Sequence, residues 1–327
     1  MCRTAAARMR TSSFEWIADD GKPVFVHAFS PDEGTKIVGI VHVSHGMSEH
    51  GARYTRLAEA LTARGLVVEA HDHRGHGRTA KNGDELGYFG PGDGFGRVKA
   101  DLRGLLARAR AAYPGLPQAL LGHSMGSLIA QGVLPDEGGK LAAVLLSGTN
   151  GPPSMMARAG VLVAKAERAR LGERGKSAVI TGMSFDAWNR SFSPNRTPYD
   201  WLSRDAAEVD KYVADSLCGF PATTTLWVQL LGAMPELASP SALRRIPKDL
   251  PFYVVAGAED PVHERTKNLR GLLDAYTKAG LRDVTYRVYP GARHELFNET
   301  NRDEVTRDMA EWLTRKLTAR APNPPRG

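Results

Sequence analysis

Residues 120–127 read LLGHSMGS, so Gly122-His123-Ser124-Met125-Gly126 spells G-x-S-x-G. A serine held at a sharp strand-to-helix turn projects its Oγ into the open as a nucleophile. Its neighbours must be small because other chains pass close by. The helix that follows points free amides at the same place and favours negative charge there. In a chain with 34 glycines the pattern alone is weak. Its position after an apolar strand and before an apolar helix is the context it needs.

A nucleophilic serine needs a base, and the base needs an orienting acid. In this strand–turn–helix setting they follow in the order serine, acid, histidine. AGAEDPV (256–262) offers Glu259 and Asp260 past a strand end, and YPGARHELF (289–297) offers His294 past the next. The segment after the strand at 141–147, Ser147-Gly148-Thr149-Asn150, carries no carboxylate, which favours Asp260 with Glu259 as second choice. His263 is an alternative base, but it lies beside Asp260 at the start of a helix. Two amides must then stabilise an oxyanion. The Met125 amide follows the nucleophile, and the Met47 amide lies in VSHGMSEH (43–50), where His45-Gly46 lets the backbone turn close to the site. This chemistry calls for no metal and no organic cofactor.

HDHRGHG (71–77) crowds three histidines and an aspartate together. A zinc site would need further ligands at suitable spacing, and neither H-x-H-x-D-H nor H-E-x-x-H occurs. The segment reads instead as a structural loop beside the serine. Gly75 and Gly77 permit its turn, and Asp72 and Arg74 are expected to pair.

The elements that must position these residues alternate. Apolar strand runs occur at 37–43, 66–71, 118–122, 141–148, 251–257 and 284–289. Between them lie amphipathic patterns such as Tyr54, Leu57, Ala58 and Leu61, or Val98, Leu102, Leu105 and Leu106. Strands alternating with helices predict a mostly parallel α/β sheet with helices on both faces. Residues 151–245 break the alternation and read as a helical cap inserted into a core of 20–150 and 246–320. Residues 1–19 read as a flexible N-terminal extension and 321–327 as a flexible tail.

Composition narrows the partners. The formal net charge is +7, yet helix-turn-helix, zinc-finger and RNA-binding signatures are missing and aromatics are only 7%, which argues against nucleic acid. The cysteines Cys2 and Cys218 cannot build a disulfide framework. There is no ~20-residue apolar run to span a bilayer and no hydrophobic region of a secretory signal at the start. The expectation is a cytoplasmic enzyme with no obligate protein partner. MMARAGVLVAK (155–165) is apolar and is followed by basic AERARLGERGK. It can lie peripherally on an anionic lipid surface, pack as a cap helix on its own domain, or do both.

HGMSEHGARY, DHRGHGRT, GHSMGS, GAEDPV and GARHELF together resemble the α/β-hydrolase superfamily, and within it the monoacylglycerol lipase and lysophospholipase branch, the serine-aminopeptidase-like hydrolases. WLSRDAAEVDKYVADSLCG (201–219) is similar to the cap of that branch, and the likeness runs over roughly residues 20 to 318. The resemblance implies Ser124, Asp260 and His294 as triad, Met47 and Met125 as oxyanion-hole positions, and Arg53 and Tyr212 around the alcohol part of a lipid ester. Two residues depart from it. Ser127 stands where a second glycine is usual, and Thr79 where a serine is usual. Haloalkane dehalogenase and epoxide hydrolase relatives carry aspartate at the nucleophile, which Ser124 excludes. A single-acyl lipid esterase, a short-chain esterase, thioesterase or peptidase of the same fold, and a non-catalytic binding module remain as readings.

Overall fold

A computed structural model describes residues 9–320. Five strands are rich in apolar residues and are buried along their whole length: β3 (Gly39–Ser44), β4 (Leu66–His71), β5 (Gln118–His123), β6 (Ala143–Ser147) and β7 (Phe252–Gly257). Strands with no exposed face lie between two layers of helices. β8 (Val284–Tyr289) adds the far edge, and β1 (Arg10–Ile17) with β2 (Pro23–Ser30) adds the near one. The eight strands run in the order β1-β2-β4-β3-β5-β6-β7-β8; β2 is antiparallel to both its neighbours and the others are parallel.

Helices cover both faces. On one, α1 (Thr55–Thr62) and α11 (Arg302–Thr318) bury Leu57, Leu61, Met309 and Leu313. On the other, α2 (Gly94–Ala112), α3 (Met125–Glu137) and α10 (Lys267–Lys278) bury Leu102, Ile129 and Leu272. Between β6 and β7 come α4 (Met155–Leu171), α5 (Ala178–Met183), α6 (Phe185–Arg190), α7 (Ala206–Ala214), α8 (Thr224–Leu237) and α9 (Pro240–Arg245), with no strand among them. None of the described helices is long and apolar enough to cross a membrane.

Two expectations need correction. Residues 10–17, assigned to a flexible extension, form β1, paired residue by residue from Arg10↔Ser30 to Ile17↔Pro23. Its apolar alternation is only Phe14 and Trp16, which pack beside Val24, Val26 and Leu105. So short a period-two signal is lost among flanking serines. Residues 1–8 of that extension, and the tail 321–327, lie outside the described residues. Arg74 does not pair with Asp72. Its guanidinium binds Asp20 (2.6 and 2.9 Å) and Asp101 (2.6 and 2.8 Å), tying the β1–β2 turn to α2.

The parallel register sets the site. Ser44 sits opposite Gly122, His123 opposite Ser147, Ser147 opposite Val255 and Gly257 opposite Tyr289. The carboxyl ends of β3, β5, β6, β7 and β8 therefore share one edge, where open α/β sheets present their ligand sites.

Candidate active site

Ser124 holds φ +51° and ψ −121° between β5 and α3, a conformation a non-glycine residue adopts only under constraint. The glycines around it explain how. A Cβ on Gly126 would stand 2.0 Å from the Ser44 carbonyl oxygen, and one on Gly122 would stand 2.7 Å from the Gly126 carbonyl oxygen. The turn is tight because β3 and α3 touch through bare backbone. Ser127, the departure from the usual glycine, hydrogen bonds the Ser124 carbonyl (2.6 Å) and Thr149 Oγ1 (2.7 Å).

The structure joins Ser124, His294 and Asp260 in one hydrogen-bonded chain. Ser124 Oγ lies 2.9 Å from His294 Nε2, and His294 Nδ1 lies 2.7 Å from Asp260 Oδ2. Asp260 is fully buried and its other oxygen accepts the Val262 amide at 2.9 Å. Burial pushes its carboxyl up, but His294 and His263 beside it outweigh that and hold it down at about 2. Burial likewise disfavours the His294 cation, yet the Asp260 carboxylate prevails and the imidazole lies above its ordinary value. The alternative base, His263, instead flanks Asp260, with Nε2 3.2 Å from Oδ2 and Nδ1 accepting the Thr266 amide at 2.8 Å. The alternative acid, Glu259, pairs with Arg265 at 3.3 Å, half exposed.

The Met47 loop lies against the serine: a Cβ on Gly46 would be 3.3 Å from Ser124 Cβ. Met47 and Met125 both line the cavity at Ser124, and neither amide donates to a protein acceptor among the described residues. Glu49 shapes this loop. Its Oε1 accepts the Gly46 amide at 2.6 Å and the Tyr54 hydroxyl at 2.9 Å, and its Oε2 accepts Arg53 at 2.7 Å. Arg53 also grips Glu295, the residue after His294, with two bonds of 2.5 and 2.6 Å. Burial raises the Glu49 carboxyl, whereas for Glu295 the bidentate Arg53 wins over burial and takes it to about 2. Tyr212 stacks under Arg53 (4.8 Å) and donates to the Ser48 carbonyl at 2.8 Å, which braces the loop from the insertion.

HDHRGHG is wired into the sheet by a chain of hydrogen bonds. His42 Nε2 lies 3.1 Å from His71 Nδ1, His71 Nε2 lies 3.0 Å from His73 Nδ1, and His73 Nε2 lies 3.2 Å from Ser44 Oγ, which donates to the Gly126 carbonyl. Because Ser44 spends its proton on Gly126, His73 must donate to it, and the tautomers of His71 and His42 follow in turn. Burial drives the imidazoles of His42, His71 and His73 far below their ordinary value, so the chain is uncharged. Two donor sets come close enough to consider for a metal: His27, His50 and Asp72, and His50, Asp215 and Cys218. The imidazole and carboxylate groups among them are engaged with one another and with backbone amides. His50 Nε2 meets Asp215 at 2.8 Å, and Asp72 accepts the Gly51 and Arg78 amides at 2.8 and 2.7 Å.

A cavity of about 500 Å³ opens at Ser124 and His294. Its walls are largely apolar, with Leu128 from α3, Ile180 from α5, and Trp227 and Leu230 from α8 among them. Glu49, Tyr212, Trp201 and Glu295 also face it. Of these, Glu49, Trp201 and Glu295 escaped the sequence reading. Glu49 had a faint signal, a carboxylate three residues after Gly46. Trp201 and Glu295 reach the site only through contacts across the fold.

An eight-stranded, mostly parallel sheet with helices on both faces and an elbow serine at its carboxyl edge define an α/β-hydrolase. The sequence profile described as serine aminopeptidase, S33 matches residues 35–301, and the chain belongs to that family. It is 31% identical over 304 residues to the monoacylglycerol lipase of Mycolicibacterium smegmatis, covering 91% of this chain and 95% of that one. It is 29% identical over 313 residues to the human monoglyceride lipase, covering 94% and 92%. Among solved structures, a highly thermostable carboxyl esterase from Bacillus coagulans in complex with glycerol superposes with a TM-score of 0.83 at 28% identity, covering 94% of this chain and 99% of that one.

Proposed function

We propose that this protein hydrolyses carboxylic esters of single-acyl lipids, monoacylglycerol or lysophospholipid, through an acyl-enzyme on Ser124. Its family and relatives make it a carboxylic ester hydrolase. The observation that carries the finer reading is one cavity whose lining combines apolar residues for a chain with Glu49, Tyr212 and Glu295 for a polar alcohol. In this mechanism His294 takes the proton of Ser124 as Oγ attacks the ester carbonyl. The Met47 and Met125 amides stabilise the oxyanion, together worth ~5–8 kcal/mol if each matches a single measured donor. His294 then protonates the leaving alcohol, and water enters by the same route to release the acid. Asp260 keeps His294 in the tautomer that accepts from serine.

On p-nitrophenyl esters from acetate to palmitate, the rate is expected to peak at medium or long chains. A peak at acetate would support the second reading, a short-chain esterase of the same fold.

Residues 151–245 act in this reading as a cap that also meets lipid. Met155, Met156 and Leu162 of α4, with Val179 and Met183 of α5, are exposed, and Met156 and Met183 line the cavity. Arg158 and Lys165 are exposed on α4. An apolar patch beside cations suits an anionic lipid surface. Co-sedimentation with phosphatidylglycerol vesicles is expected to drop for a Met155→Ser/Met156→Ser/Leu162→Ser variant. Equal sedimentation of variant and wild type would refute the contact.

A further inference from the structure

Trp201 belongs to the segment Asp200–Leu202, between α6 and α7, and is 4% exposed. Two observations tie it to His294. Along the backbone, Glu295 donates to the Leu202 carbonyl at 2.8 Å and His294 points its amide at the Trp201 carbonyl at 3.5 Å. Between side chains, the indole and imidazole centroids are 5.1 Å apart with planes at 34°. The indole is itself held by Trp188 (4.9 Å) and Phe185 (5.6 Å), and all three rings line the cavity. The indole N–H is buried without an acceptor among the described residues. An aliphatic side chain would fill the space without leaving that donor unmet, so what the tryptophan supplies here is its ring face.

We propose that Trp201 is a positioning residue for His294: its π face keeps the imidazole in line with Ser124 and favours the imidazolium formed when Ser124 gives up its proton. This rests on His294 being the base. A cation within ~6 Å of an indole centroid is attracted by the ring quadrupole, more so where water is excluded. The other groups facing His294 are accounted for. Asp260 lies at 2.7 Å with His263 behind it. His123, on the elbow, stacks at 4.9 Å, and burial takes its pKa to about 3, so it stays neutral. Glu49 and Glu295 share Arg53. An acyl chain in the cavity meets the same aromatic stack that touches the base, so the insertion contributes to the reactivity of His294 as well as to substrate binding.

The test is the pH dependence of kcat/KM on a soluble p-nitrophenyl ester for wild type, Trp201→Phe and Trp201→Leu. In the wild type the rate falls on the acid side with an apparent pKa above the imidazole value of about 6.5, because only neutral His294 accepts the proton. Trp201→Leu is expected to move that acid limb down by about half a unit to one unit and to lower kcat roughly tenfold. Trp201→Phe, which keeps a ring face, should stay within about a third of a unit of wild type. An active Trp201→Leu enzyme whose acid limb coincides with wild type overturns the proposal, whatever its KM. If Trp201→Leu is insoluble, Trp201→Met makes the same comparison. Stoichiometric labelling by a fluorophosphonate, lost in Ser124→Ala, verifies the underlying site; retained labelling in that variant would overturn the Ser124 reading instead.

Discussion

Ser124→Ala is expected to lower kcat by about 10⁴-fold or more on every ester, with KM near the wild-type value. The reasoning is geometric. In the proposed route Ser124 Oγ forms the covalent bond, and it stands 2.9 Å from His294 Nε2. Losing one hydroxyl leaves the cavity, the loop amides and His294 in place, so binding survives while the two-step route does not. Residual turnover would come from water attacking the ester carbonyl while the Met47 and Met125 amides stabilise the oxyanion. Initial rates on a p-nitrophenyl ester check it, with a melting curve to show that the variant folds. A rate within tenfold of wild type would remove Ser124 from the mechanism.

Asp260→Asn is expected to cost nearly as much, about 10³–10⁴-fold in kcat. His294 and His263 beside it hold the Asp260 carboxyl well below its ordinary value, which favours the carboxylate. It accepts the His294 Nδ1–H at 2.7 Å and so leaves Nε2 free to take the serine proton. An asparagine amide group turned toward His294 would donate instead, reversing the tautomer and presenting an N–H to Ser124. Because Asp260 also lies 3.2 Å from His263, the substitution loosens two imidazoles at once. Steady-state kinetics beside circular dichroism separates this from unfolding. A folded variant that loses less than tenfold would mean that His294 is oriented by something else.

The residues that local geometry dictates are the ones the sequence displays. Gly122 and Gly126 flank Ser124 because backbone passes within contact distance on either side, and such a constraint prints itself as G-x-S-x-G. Asp260 and His294 follow strand ends, and a parallel sheet brings all strand ends to one edge. Gly75 and Gly77 were legible for the same reason: both hold positive φ, and a Cβ on Gly77 would strike the Asp72 carboxylate at 2.3 Å. What the sequence hides is choice of partner. Arg74 lies two residues from Asp72 yet binds Asp20 and Asp101, because Asp72 is taken by the Gly51 and Arg78 amides. Arg53 and Glu295 are 242 positions apart and meet only when β3 and β8 end at the same edge. Trp201 sits in a stretch with neither helical nor strand period, so nothing in its spacing points to His294.

The central claim is that a single-acyl lipid ester is cleaved at Ser124. Its most direct measurement is fatty-acid release from a long-chain 1-monoacylglycerol by the wild-type protein and by Ser124→Ala, with EDTA present. The account predicts rapid release by the wild type and none above background in the variant. No release from either the monoacylglycerol or a lysophosphatidylcholine by wild-type protein that still reacts with a fluorophosphonate, or equal release by wild type and variant, would contradict it.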